Sequence, residues 1–336
     1  RLKLGENCSF DDIEISKEYL KSINKIFIVA CGTAMHAGLM GKSIIEKLCR
    51  IPVEVDIASE FRYRNPIIDE KTLCIFVSQS GETADTLAAL RLSKLHGART
   101  LAISNVIGST ITREADYTIY THAGPEIAVA STKAYTSQVC LIAMLGIYFA
   151  ELLGSYSKDE LEKLKADILD LPSKIEAVLD NCEEIKTFAS KVYTQKDMFF
   201  LGRGTDYNVA LEGSLKLKEI SYIHSESYPA GELKHGSISL IDKDFGVIAV
   251  VTDKEISEKT ISNLKEVESR GANIVTITNI KDDDFSKYKI LLDDYNEVLN
   301  PLMAIIPMQL LAYNIAKLKG CDIDKPRNLA KSVTVE

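Results

Sequence analysis

One pattern is written twice in this chain, and it constrains the fold more than any other feature. From Ile26 an apolar run breaks at glycine and continues with helical spacing, IFIVACGTAMHAGLMGKSIIEKL. From Met198 the pattern returns as MFFLGRGTDYNVALEGSLKLKEI. Gly32-Thr33 maps to Gly204-Thr205 (204 − 32 = 172), and Ala58-Ser59-Glu60-Phe61-Arg62-Tyr63 maps to Ala230-Gly231-Glu232-Leu233-Lys234-His235 (230 − 58 = 172). Lys71 maps to Lys243 (243 − 71 = 172); later the offset is 174, from Gly97 to Gly271 and from Asn105 to Asn279. A repeat of this length is a duplicated domain rather than a solenoid. Each copy alternates strands with helices, which predicts an α/β fold of two doubly wound, mostly parallel sheets with helices on both faces. Ligands in such sheets sit beyond the carboxyl ends of the strands.

The division follows from the repeat. Residues 1–20 are polar, carry the acidic run Asp11, Asp12, Glu14, and read as a linker or arm. The first domain is expected at 21–156 and the second at 193–324. Between them, Ser157-Lys158-Asp159-Glu160 has the spacing of a capping box and opens a charged helix; connecting helices are expected over 157–192. Residues 325–336, KPRNLAKSVTVE, form a tail.

Within copy one, the apolar run Leu73–Val77 reads as a buried strand. It gives way to Ser78-Gln79-Ser80-Gly81-Glu82-Thr83, after which Ala84, Leu87, Leu90 and Leu95 recur with helical spacing. A strand ending in three hydroxyls and a glycine at a helix start is a place to hold a phosphate: free N–H groups and the helix dipole favour an anion, and each hydroxyl adds a donor. An ordinary serine-capped turn would need only one such hydroxyl. In copy two, Val250-Val251-Thr252-Asp253-Lys254-Glu255 stands there, with no glycine and two acids. Copy two instead carries Glu212, Lys216 and Glu219 on the helix after Gly204, where copy one has Met40, Ile44 and Lys47. Their i, i+4, i+7 spacing puts them on one helix face. A solvated salt-bridged face has the same spacing, but Tyr222, His224, Tyr228, Pro229 and Gly231 follow closely and suit a shaped pocket better. Anion grip from copy one and ionisable groups from copy two imply one composite site.

Other features weigh against competing classes. A net charge of −8 with no basic stretch argues against nucleic acid. The longest apolar run, Val139–Ala150, is too short to cross a bilayer and reads as a core helix, and no signal peptide is evident, so no membrane partner is expected. The seven cysteines (8, 31, 49, 74, 140, 182, 321) form no CxxC pair, which suggests reduced thiols and a cytoplasmic setting. Beginning with Arg1 rather than Met, the chain reads as part of something longer. Gly202-Arg203-Gly204 has Tyr207 where a dinucleotide fingerprint needs its third glycine, and Gly41-Lys42-Ser43 has His36 where a P-loop needs its first. His36, His96, His122 and His224 show no metal-ligand spacing, so neither a metal nor a cofactor is expected. His235, in a loop beside Gly236, is an acid/base candidate. Ala128-Val129-Ala130-Ser131-Thr132-Lys133 is a small-residue turn before a helix expected at 134–153.

With these residues in hand, the chain resembles the isomerase half of the glutamine–fructose-6-phosphate aminotransferases (glucosamine-6-phosphate synthases), built from two tandem sugar isomerase (SIS) domains. The matching stretches are Cys31-Gly32-Thr33, SQSGET at 78–83, PEIAVASTKAYTSQ at 125–138, LEGSLKLKEISYIHSESYPAGELKHG at 211–236, and the tail. SQSGET belongs to SIS domains generally; the last two stretches are narrower. The resemblance implies that Thr33, Ser78, Gln79, Ser80 and Thr83 hold the phosphate of fructose 6-phosphate and that Val129, Ser131 and Ala330 line the sugar. It implies that Glu219 moves a proton between C1 and C2, and that Lys331 forms a Schiff base with the open-chain ketone. Glu212 and Lys216 stand beside them. His235 would open the ring, reaching across a homodimer interface. The product would be glucosamine 6-phosphate, or glucose 6-phosphate without ammonia.

The residue types suit that chemistry. An aldose–ketose shift needs a carboxylate over C1 and C2, a deprotonated amine condenses with a ketone, and a closing tail would exclude water. Ala34 stands where the family usually has Ser, and Ser237 where it has Pro. The family's N-terminal glutaminase domain is missing from this sequence. Two other readings compete: another two-domain SIS sugar-phosphate isomerase or fructosamine-type deglycase, or a non-catalytic sensor. A sensor would need none of Glu219, His235 or Lys331.

Overall fold

The computed structural model describes residues 2–4, 8–10, 13–180, 183–281 and 286–335. The chain divides into two compact units. Unit 1 comprises Arg1–Ile127, Ser131–Ala166 and Ala330–Glu336; unit 2 comprises Ala128–Ala130 and Asp167–Leu329.

Unit 1 opens with an antiparallel pair, β1 (Leu2–Leu4) and β2 (Cys8–Phe10), and a short helix α1 (Lys17–Ser22). This segment is folded onto the unit rather than a bare arm: Phe10, Ile13, Ile15 and Leu20 are buried, and Phe10 packs edge-on against Tyr148. Asp11 and Asp12 lie outside the described residues. There follow β3 (Lys25–Ala30), α2 (Thr33–Cys49), β4 (Val53–Ile57), α3 (Ala58–Phe61), β5 (Thr72–Ser78), α4 (Ala84–Leu95), β6 (Arg99–Ser104), α5 (Thr110–Glu114), β7 (Tyr117–Tyr120) and α6 (Lys133–Leu153). The five strands pair in parallel in the order β4-β3-β5-β6-β7. The central strand β5 is buried at all seven residues, as a strand covered on both faces requires.

Next come α7 (Lys158–Asp180) and α8 (Glu183–Val192). The Glu160 N–H donates to Ser157 Oγ at 3.4 Å, the first half of the capping box. Unit 2 then repeats the plan: β8 (Asp197–Gly202), α9 (Thr205–Ser221), β9 (His224–Pro229), two 3₁₀ turns (Ala230–His235 and Ser237–Leu240), β10 (Gly246–Val251), α10 (Ser257–Glu268), β11 (Asn273–Thr278), β12 (Tyr288–Leu291) and α11 (Asn300–Leu318). Its strand order, β9-β8-β10-β11-β12, is that of unit 1, and all pairs are parallel.

The pairing corrects the internal alignment. Val29 pairs with Phe76, and Leu201, its counterpart (201 − 29 = 172), pairs with Ala249 (249 − 76 = 173). Thr252 and Asp253 therefore match Gln79 and Ser80, one residue along from the spacing that the first strands suggest. At the next strand, Leu73 pairs with Arg99 and Gly246 with Asn273, which restores the later offset (273 − 99 = 174).

Two pairs of repeated glycines explain the local geometry. Gly32 and Gly204 cap α2 and α9 at φ/ψ of 55/−130° and 56/−126°, a region closed to residues with a Cβ. Gly41 and Gly213 lie where each helix crosses its neighbour: a Cβ would come within 2.8 Å of Ile142 Cγ2 on α6 and 2.4 Å of Met308 Sδ on α11. Gly41 thus serves packing.

By length and composition α6 and α11 could each cross a membrane, but most of each apolar window (61% and 67%) is buried, as in core helices. The apolar run at 139–150 is part of a longer helix than the run itself suggests. Cys31, Cys49, Cys74, Cys140 and Cys321 are free thiols. Burial pushes Cys49 and Cys74 up to about 12 and Cys140 to about 11, so these three are poor nucleophiles. The Cys8 side chain and Cys182 lie outside the described residues.

Candidate active site

In a sheet of this order the crevice opens at the carboxyl ends of the two strands where the winding reverses, here β3 and β5. The loops after them are Cys31-Gly32-Thr33 and Ser78–Thr83. The second loop is tightly laced. Gly81 N–H donates to Ser78 Oγ (3.0 Å), Ser78 Oγ lies 3.1 Å from Thr83 Oγ1, and Glu82 N–H donates to Ser80 Oγ (3.2 Å). Gly81 has φ +69°, and a Cβ there would lie 2.1 Å from Ser109 Oγ. The Thr110 N–H, at 2.7 Å, holds the Glu82 carboxylate below its usual range. Thr83, the N-cap of α4, makes no side-chain capping bond, so the helix start keeps its preference for an anion. Ser78 is buried, while Thr33, Gln79, Ser80 and Thr83 are half-buried.

The tail lies against this loop. Ser332 Oγ donates to Ser80 Oγ at 3.1 Å, and Ala84 N–H donates to the Val333 carbonyl at 3.4 Å. Lys331 Nζ lies 3.6 Å from Glu126 Oε2. The tail lysine is thus half-buried and ion-paired, whereas Ala330 is exposed. Ser131 belongs to unit 1, but Val129 groups with unit 2, where its N–H donates to the Asp324 carbonyl at 2.9 Å.

In unit 2, α9 carries a buried triad. Lys216 Nζ lies 3.3 Å from Glu212 Oε1 and 2.6 Å from Glu219 Oε2. Glu212 is fully buried, Lys216 is 2% exposed, and the Glu219 side chain keeps 20% exposure. Burial works against the lysine's charge, but the two carboxylates outweigh it and raise Lys216 above an ordinary lysine. Lys216 is therefore a fixed cation beside Glu219, which lies at the edge of a pocket of about 470 Å³. That pocket is lined also by Lys218, Tyr222, Arg327, Asn328 and Leu329. Arg327 stacks on the Tyr222 ring, 4.2 Å from its centroid, and its N–H donates to Tyr222 Oη at 2.8 Å. His235 ends a 3₁₀ turn, is exposed, and does not line this pocket.

The loop after β10, which matches the Ser78–Thr83 loop of unit 1, is filled by the chain's own carboxylate. Asp206, 2% exposed, accepts from Thr252 N–H (2.7 Å), Thr252 Oγ1 and Asp253 N–H (3.2 Å). Burial pushes it up to about 6 despite those bonds. Among the described residues no group of His, Cys, Asp and Glu could hold a metal ion.

The SIS domain family matches residues 19–148 and 191–318, one match in each unit. The chain belongs to the SIS domain family. Over its whole length it is 59% identical to the glutamine–fructose-6-phosphate aminotransferase [isomerizing] of Clostridium tetani and 56% identical to that of Clostridium perfringens. It spans 56% of each, about half the length of these relatives. Among solved structures, the C-terminal domain of glucosamine-fructose-6-phosphate aminotransferase from Francisella tularensis superposes with a TM-score of 0.88 at 40% identity. That match covers 92% of this chain and 88% of that one.

Within this SIS pair, sequence reasoning picked out the loop, the triad and Lys331 but passed over Glu126, Asp206 and Ser332. Glu126 stands in the stretch PEIAVASTK, but it lies six residues ahead of the N-cap Thr132, too far for a local capping signal. Asp206 did have a local signal: an acidic residue two positions past the glycine cap, where copy one has Ala34.

Proposed function

We propose that this chain is the sugar-phosphate half of a glutamine–fructose-6-phosphate aminotransferase. It takes fructose 6-phosphate and, with ammonia delivered from a glutaminase domain, yields glucosamine 6-phosphate; without ammonia it yields glucose 6-phosphate. The observation that carries this reading is Glu219, a carboxylate 2.6 Å from a buried lysine yet open to a pocket. A base for C–H proton transfer needs that combination.

The phosphate sits on Ser78, Gln79, Ser80, Thr83 and Thr33, and the sugar runs past Val129, Ser131 and Ala330. His235 opens the ring. Lys331 Nζ adds to C2 and the C2 oxygen leaves as water; ammonia then adds to the C=N carbon and expels the lysine amine, and the new C=N bond makes C1–H acidic, whereas without ammonia water expels the lysine and the C2 ketone does the same. Glu219 then takes the C1 proton and returns it at C2. Lys216 and Glu212 hold that carboxylate in place. His235 is exposed and does not line the Glu219 pocket; in this reading, as the family resemblance implies, it acts from a second copy of the chain in a homodimer. Free thiols and the match to a biosynthetic enzyme suit the cytoplasm.

The test is fructose 6-phosphate turnover, read as proton exchange at C1 and glucose 6-phosphate formation, in the wild type and in Lys331→Ala. Activity that depends on Lys331 supports the reading. Tight binding without exchange would favour a sensor.

A further inference from the structure

We propose that Glu126 is the positioning residue for Lys331: its carboxylate is the seat on unit 1 that holds the tail amine before sugar arrives. The chemical meaning of this seat rests on the Schiff-base reading above; its geometry does not.

Glu126 uses its two oxygens for different tasks. Oε1 accepts the Thr132 N–H at 2.7 Å, and Thr132 is the N-cap of the 21-residue α6. Thr132 provides no side-chain cap of its own, so Glu126 caps the helix from outside, where the dipole favours a carboxylate. Oε2 faces Lys331 Nζ at 3.6 Å. The Glu126 side chain is only 5% exposed and that of Lys331 is 28% exposed. A carboxylate withdrawn this far from water needs a charged or hydrogen-bonding partner; Oε2 makes no hydrogen bond, and among the described residues the tail lysine is the cation at ion-pair distance from it.

The next two tail residues strengthen the case. Ser332 bonds to Ser80 and the Val333 carbonyl to Ala84 N–H. Lys331 is thus held at its head by Glu126 and through its backbone by the anion loop. A long flexible amine pinned at both ends reaches a reactive geometry with less freedom to lose.

Glu126→Gln separates the seat from the scaffold, because a glutamine Oε1 still accepts the Thr132 N–H while the charge is gone. The full chain would be compared as wild type and E126Q. Amide hydrogen exchange over 330–335 is expected to speed up roughly tenfold in E126Q, with the first turn of α6 unchanged. Labelling of Lys331 by fructose 6-phosphate and sodium borohydride, in which hydride reduces the C=N bond to a secondary amine, is expected to slow about tenfold. The dissociation constant for the sugar phosphate is expected to stay within about twofold, since the phosphate grip is untouched. Tail exchange unchanged in folded E126Q overturns the proposal. If E126Q does not fold, Lys331→Met breaks the same pair from the other side and must loosen the tail equally; an unchanged tail there overturns it too. Wild type that is never labelled at Lys331, with a tail that still loosens in E126Q, leaves the seat standing and removes the Schiff-base reading.

Discussion

Helices α2 and α9 are one helix used twice. Each has 17 residues, starts at a glycine with the same unusual backbone, and ends on a non-glycine residue in the left-handed region, Arg50 at φ 58° and Tyr222 at φ 60°. Each crosses its neighbour at an equivalent glycine. They differ along one face. Met40 and Ile44 are apolar core in α2, whereas Glu212 and Lys216 are buried ions at the same positions in α9. Unit 1 shows that the fold has no need of those ions. A buried ion pair adds little net stability over apolar residues of similar size, so stability alone does not account for the triad of unit 2. The switch-point loops diverge the opposite way: unit 1 leaves hydroxyls at its helix start, and unit 2 closes its loop with Asp206.

The largest expected effect would break this comparison at the base. Glu219→Gln is expected to cut C1 proton exchange about 10²–10⁴-fold, while binding of the phosphorylated sugar persists. Unchanged exchange would remove Glu219 from the chemistry. Next, giving α9 the α2 residue in Lys216→Ile strands Glu212 in the interior. Urea unfolding is expected to show a loss of about 3–5 kcal/mol, mostly recovered in the double variant with Glu212→Met. Should the double variant remain as unstable as the single one, the two helix faces are not interchangeable.

A smaller effect concerns Asp206. Its folded pKa, about 6, lies above the ordinary 3.8, so the native state binds the extra proton. Its contribution to stability is full below about pH 3.8 and is lost as pH rises through about 6. The stability of wild type relative to Asp206→Asn is expected to fall over that window, by at most about 1.4 kcal/mol per pH unit. A flat difference would mean that the three donors hold the carboxylate ionised throughout. Last, Ser80→Ala is expected to weaken binding of fructose 6-phosphate about tenfold, the worth of one hydrogen bond to a charged group, and to leave fructose binding unaffected. Equal loss for both sugars would mean the loop is not the phosphate grip.

The repeat carried most of the fold in the sequence, because two parallel sheets with the same order follow from one alternating pattern. The loop at 78–83 was legible because hydroxyls and glycine at a helix start have a local meaning. The triad was legible by helix spacing, although its burial was not: i, i+4, i+7 describes a solvated face equally well, and only packing against α11 decides. Tail contacts such as Ser332 with Ser80 were out of reach, since residues 252 positions apart leave no periodic trace. The start of α6 was legible to within one residue, because the small-residue turn at 128–133 set the helix at 134–153 and it spans Lys133–Leu153. Pro172 and Pro307 sit inside α7 and α11, where local propensity alone would end a helix.

The drift of the repeat offset from 172 to 173 to 174 shows where this architecture tolerates a change in chain length. Helices α4 and α10 hold one spacing from end to end (257 − 84 = 173 and 268 − 95 = 173). The extra residues therefore fall just before β10 and just before β11, on the rim where strands begin. Ligand loops occupy the opposite rim, where strands end. Peptide tags or fluorescent insertions placed near Asp244 or Gly271 would thus follow a route that duplication has already taken.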